Sequence, residues 1–196
     1  MEPRFMKKGI SAVLVVLVSS VVILVSATVL PVFAGTRGGF LKCNIHYQQH
    51  ATDAKASYAN WVAPPQAHFI LPVNTEVSIG RFRRGFSIIA KDSGKEILFE
   101  LDEGRAGVNE EQYLKFILSP APISLDGLSD LDQQGIKDGR VSIGMTKKGV
   151  MTALGYPAPH RTPSPDENKN WIYWTNRFRS FSVVFDDNGV VTDIKK

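Results

Sequence analysis

Arg161, Trp171, Tyr173, Trp174, Arg177, Phe178 and Arg179 bring four aromatic rings and three guanidinium groups into one short stretch of this chain. Their chemistry is recognition rather than bond-making. Trp, Tyr and Arg dominate binding energetics at protein surfaces because each joins a large flat area to a polar handle. Along a strand, successive side chains point to opposite faces, so Trp171 and Tyr173 share one side and Ile172 and Trp174 the other. One face must be core. The other is either a docking surface or a contact inside the protein. The loop from His160 to Asn170 leads into this strand, its freedom limited by Pro163 and Pro165. Such a long connection is either a binding site, as is frequent in small domains, or a solvated loop that merely spans a distance. A second basic-aromatic cluster, Arg81-Phe82-Arg83-Arg84, sits at a turn. It is either a plain solvated turn or a contact with a membrane surface, where each basic residue contributes about 1 kcal/mol.

Signatures of bond chemistry are sparse. The chain has no phosphate-binding Walker loop, no dinucleotide glycine run, no His-Glu-x-x-His and no paired cysteines. His46 and His50 stand four apart, a spacing that puts two ligands on one helical face, but no third ligand accompanies them and they read as surface histidines. A hydrolase built on His160 or His68 would need a serine converging on the same pocket. Ser93, in Asp-Ser-Gly-Lys, belongs to a turn. Asp186-x-Asn188-Gly189 lacks the acidic series of a calcium loop and reads as a hairpin turn. Cys43 follows Phe40-Leu41-Lys42, which is no lipidation signal, and is expected to be a free or partly buried thiol. The reading is therefore a non-enzymatic protein with no metal and no cofactor.

Two groups of elements are expected to position these residues. From about 42 to 118 the pattern predicts a small mostly-β unit closed by a helix. Its strands are Thr75–Ile79, Gly85–Ala90 and Glu96–Leu101, the last alternating Ile97, Phe99 and Leu101 with more polar neighbours. Asn109 caps the helix, with Gln112 at the reciprocal position. Ser119-Pro120-Ala121-Pro122 cannot continue a helix and marks a boundary. From about 123 to 196 the pattern predicts a helix in Leu128–Ile136, a second over 147–154 capped by Thr146, and strands at 170–175, 180–186 and 190–195.

Residues 1–34 read as an export segment. Arg4, Lys7 and Lys8 precede an uncharged, apolar run from Gly9 that closes on Val32-Phe33-Ala34, with small residues at the positions a signal peptidase needs. The run is also long enough to span a bilayer, so a cleaved signal and a retained anchor both remain open. In either case the rest of the chain faces away from the cytoplasm. That places it in the periplasm or at the periplasmic face of the outer membrane, or anchored in the inner membrane facing the periplasm. Without the segment, 20 basic and 18 acidic residues leave a charge of +2. That is too little to argue for nucleic acid.

Read in order, Gly144-Met145-Thr146, Leu154-Gly155-Tyr156-Pro157, Trp171-Ile172-Tyr173 and Phe185 followed by Gly189-Val190-Val191-Thr192-Asp193-Ile194 resemble the SmpA/OmlA (BamE-like) family of outer-membrane-assembly lipoproteins. The resemblance covers about 135–196. It implies an α+β fold with a C-terminal two-helix plus three-stranded antiparallel meander. It also implies a protein partner in the envelope, a subunit of the barrel-assembly machine, and a role in outer-membrane protein assembly or envelope integrity. The alternative is a periplasmic protein-binding or inhibitor module unrelated to barrel assembly. Three departures stand out: the family's lipidated cysteine is missing, an additional N-terminal unit is present, and Tyr156 places a bulky side chain inside the Leu-Gly-x-Pro motif.

Overall fold

The computed structural model describes residues 37–64 and 66–196, so the expected export segment, 1–34, lies outside the described residues. The described residues belong to one compact unit. It is built around two sheets.

The larger sheet contains β1 (Gly38–Leu41), β2 (Ile45–Gln49), β3 (Ala54–Ser57), β4 (His68–Leu71), β5 (Glu76–Phe82), β6 (Gly85–Ala90), β7 (Glu96–Glu100) and β8 (Leu118–Ser119). Its order is β4-β2-β3-β7-β6-β5-β1-β8. All neighbours are antiparallel except β3 and β7, whose pairing of Ala56 with Phe99 is parallel. Alternation in β7 buries Ile97 and Phe99 beside Phe86 and Ile88 of β6. The short helix α1 (Glu103–Ala106) and α2 (Glu110–Ile117) follow. A reciprocal Asn109–Gln112 capping box starts α2, which sinks Tyr113, Leu114 and Ile117 into the same core.

Two further helices, α3 (Asp130–Asp138) and α4 (Lys147–Leu154), precede the smaller sheet β9 (Asn170–Asn176), β10 (Arg179–Phe185) and β11 (Val191–Lys195). Ser129 caps α3, and Gly139 ends it at φ 62, a left-handed angle that a side chain would oppose. Thr146 caps α4 by accepting from Gly149 N–H. Trp171, Tyr173, Val183 and Phe185 pack on Val150, Ala153 and Leu154 in a second core. Asp186 Oδ1 accepts from the N–H groups of Asn188 and Val190, which fixes the turn between β10 and β11 as a hairpin connection.

These findings overturn the expected fold class. The chain is not an α+β protein ending in a BamE-like two-helix, three-stranded meander behind a small mostly-β unit closed by a helix. It is mostly β: an eight-stranded mixed sheet and a three-stranded antiparallel sheet, with only four short helices among the described residues. The reason lies between Gly38 and Leu71, where four strands form that carry little apolar periodicity. In β2, Ile-His-Tyr-Gln-Gln, the polar residues at the strand's start work inside the protein. Asn44 Nδ2 donates to Ile136 O (2.7 Å) and Ala153 O (3.2 Å), and a nitrogen of the His46 ring lies 2.8 Å from Ala153 O. The last carbonyls of a helix have no partner within it. Here the large sheet supplies partners to the ends of α3 and α4.

Candidate binding groove

The loop between β3 and β4 creates the site. Val62 enters the second core, its N–H donates to Trp174 O (2.9 Å), and Ala63 N–H donates to Thr175 O (3.1 Å). On the other side of Trp61, Asn60 Nδ2 donates to Tyr156 O at 2.8 Å. Anchored before and after, Trp61 is held at φ 47, a left-handed angle that costs a bulky residue on the order of 1–3 kcal/mol. The same anchors set its indole at the end of β9, near Trp174.

Two adjoining hollows of about 450 and 670 Å³ open there and share Trp61, Arg84, Glu100 and Arg177. The first adds Tyr58, Asp102, Arg105, His160 and Trp174. The second adds Lys55, Pro64, Phe178 and Arg179. The first hollow has a continuous aromatic wall: His160 stacks on Trp174 with centroids 5.4 Å apart and meets Tyr58 edge-on at 5.6 Å. The Arg161 guanidinium lies 5.9 Å over the Trp174 ring. Partial burial, then the charges of Arg161 and Arg105, hold His160 below the usual histidine range, so at neutral pH its ring adds no positive charge to the groove. Glu100 pairs with Arg84 at 2.7 Å, and Asp102 reaches Arg105 at 4.0 Å. Among the described residues, no carboxylate lies within ion-pair range of Arg161, Arg177 or Arg179. At the β9–β10 turn, Asn176 Oδ1 accepts from the N–H groups of Phe178 and Arg179, and Phe178 projects with 87% of its surface exposed.

The sequence-predicted residues divide accordingly. Trp174, Arg177, Phe178 and Arg179 gather at the groove, with Arg161 against its aromatic wall. Trp171 and Tyr173 do not join them: both are fully buried, with Trp171 Nε1 donating to Pro165 O and the Tyr173 hydroxyl to Gly155 O. They are the core face of β9. The proline loop is pinned by the Trp171 bond and by Ile172 N–H donating to Thr162 Oγ1. Of the second cluster, Arg84 reaches the groove, while Arg81 and Arg83 are exposed.

Trp61, Tyr58 and Arg105 escaped the sequence reading. Asn60-Trp61 ahead of Pro64-Pro65 was the available signal, since Asn tolerates a left-handed angle and Trp is costly to leave in a loop. The paired histidines also sit differently from expectation. His46 is 3% exposed and lies on a strand; His50 lies just past its end and is exposed. Cys43 is buried. Ser57 Oγ lines the groove near His160 but accepts from Ala59 N–H, and the nucleophile-to-base contact of a hydrolase is not made.

No protein-family model, no curated protein and no solved structure matches this chain.

Proposed function

We propose that this chain is an exported, non-enzymatic protein of the cell envelope that binds a protein partner through the surface around Trp174, Arg177, Phe178 and Arg179. Export rests on the N-terminal pattern: three basic residues, an apolar run and a terminal Val-Phe-Ala. Binding rests on a single structural observation, the Phe178 ring standing almost fully in solvent beside two arginines that no carboxylate neutralises among the described residues. An interface gains from burying a phenyl ring between guanidinium groups. Envelope support, including outer-membrane protein assembly, is the role the motif resemblance suggests for such a partner.

Envelope fractionation with crosslinking and mass spectrometry tests this reading. Crosslinks from the 174–179 segment to one envelope protein, lost in Trp174→Ala and Arg177→Ala, are expected. Barrel-assembly subunits as the crosslinked species would place the protein in outer-membrane assembly. Another envelope protein would mark a binding module outside it. Crosslinks that ignore both substitutions would overturn the assignment of this surface.

A further inference from the structure

The groove itself indicates what the partner presents. From Arg37 onward the chain carries a charge of only +2, yet Lys55, Arg84, Arg105, Arg177 and Arg179 line the two hollows against Glu100 and Asp102, with Lys55 itself paired to Asp53 at 3.3 Å. The positive excess is therefore local to this site. Its two carboxylates stand within ion-pair range of Arg84 and Arg105, which leaves Arg177 and Arg179 without an internal counter-charge among the described residues. A guanidinium matches a carboxylate with two parallel N–H donors, and a groove lined by one sign of charge concentrates the opposite sign.

Shape narrows the choice. The hollows join through Trp61, Arg84, Glu100 and Arg177, so two spaces, each of a size that a single small ligand fills, adjoin as one double site. An extended chain, with carboxylates at intervals and flat peptide units between them, can occupy both at once. Trp61 and Trp174 supply the planes for it. The exposed Phe178 at the outer rim adds an apolar contact that a folded partner flanking such a segment would cover.

We infer that the groove takes an extended acidic segment of the partner polypeptide, its carboxylates meeting Arg177 and Arg179 and its flat groups resting on Trp61 and Trp174. This deepens the protein-binding reading above and depends on it. The anisotropy of a labelled Glu-rich peptide is measured against the full-length chain in detergent micelles, beside a Gln-for-Glu peptide of equal length. The Glu peptide binds at least about tenfold more tightly at low ionic strength, and about 1 M salt removes the difference because the screening length falls to about 3 Å. Arg177→Glu with Arg179→Glu reduces Glu-peptide affinity by at least about tenfold and leaves the Gln peptide unchanged.

Equal affinity for the two peptides overturns the inference. So does tighter binding of a carboxylated oligosaccharide such as an oligogalacturonate, which would make the occupant a glycan. If partner crosslinks still depend on Trp174 while the peptides are not distinguished, the acidic-segment inference alone fails. If those crosslinks ignore Trp174 as well, the assignment of the binding surface fails with it.

Discussion

His46 Nδ1 lies 2.9 Å from His68 Nε2, with the two rings nearly parallel at 8° and 5.1 Å between centroids. The partners of this pair fix its protons. Ala153 O can only accept, so His46 Nε2 carries a hydrogen; His46 Nδ1 is then bare and accepts from His68 Nε2–H. Burial moves the His46 pKa down to about 4, outweighing the bond to Ala153, and burial followed by the Arg140 charge lowers that of His68. A histidine that stays neutral when folded but has an ordinary pKa unfolded stabilises the protein fully above about pH 6.5, and this contribution is lost as pH falls. Near pH 4 the His46 share of the loss reaches roughly 3 kcal/mol. Urea titrations between about pH 7 and pH 4 should show this decline, and His46→Gln should flatten it. An unchanged slope in the variant would rule out this pair as its source.

Asn44 does more than any other polar residue to join the large sheet to the helices. It is 2% exposed, donates to Ile136 O and Ala153 O, and accepts from Val73 N–H at 2.9 Å. Asn44→Ala leaves three buried backbone groups without this partner, at an expected cost of about 2–4 kcal/mol. Asn44→Asp keeps the acceptor but loses both donated bonds and buries a carboxylate near helix C-termini, so it should be at least as damaging. The denaturation midpoints of the two variants check this ordering.

How much of this could be read in advance depends on how local each signal is. The Asn109–Gln112 capping box, the Thr146 cap and the Asp186–Gly189 turn are set by neighbours a few residues apart, and the sequence displays them. Strand β2 was hidden because its polar start serves carbonyls far along the chain, from Ile136 to Ala153. Alternation separated Trp171 and Tyr173 from Trp174 correctly in principle, but only the packing of α4 on β9 shows which side is core. Trp61 was illegible for a stronger reason. Its backbone angle is imposed by Val62 entering a core made by residues that follow it by about a hundred positions, and no local pattern encodes that.

Gly149 lies in α4, where alanine would ordinarily stabilise by about 1 kcal/mol. In this helix a Cβ would run into the carboxylate of Asp132, which is fully buried and accepts from Thr146 N–H at 2.8 Å and Thr146 Oγ1 at 3.0 Å. Moving that carboxylate breaks the cap of α4. Gly149→Ala is therefore expected to destabilise by about 2 kcal/mol, against the helix scale. Thermal unfolding of this single variant reads the sign directly.

Burial pushes the Cys43 thiol up to about 12, and backbone contact with Tyr156 and the Lys42 charge only partly oppose it. The thiolate is the reactive form, so this cysteine should resist iodoacetamide in the native protein. Labelling, followed by mass spectrometry, should appear only as urea unfolds the chain. Rapid labelling in native buffer would mean that the β1–α2 packing opens around it.

Trp171 and Trp174 lie three positions apart on β9 but play opposite parts. Trp171 is fully enclosed, its indole tilted against Phe185 at 4.7 Å, so Trp171→Ala should remove about 3–5 kcal/mol of stability. Trp174 is half-buried between His160, Arg161 and the groove, and its strand is already held by Trp171 and Tyr173. Trp174→Ala should cost the fold only about 1 kcal/mol while weakening partner crosslinking by at least about tenfold, because a half-buried indole on a binding surface contributes mainly to the interface. Circular dichroism melts and crosslink yields, taken on both variants, separate the two roles. If Trp174→Ala unfolds the chain as readily as Trp171→Ala, the groove wall is core and carries no partner.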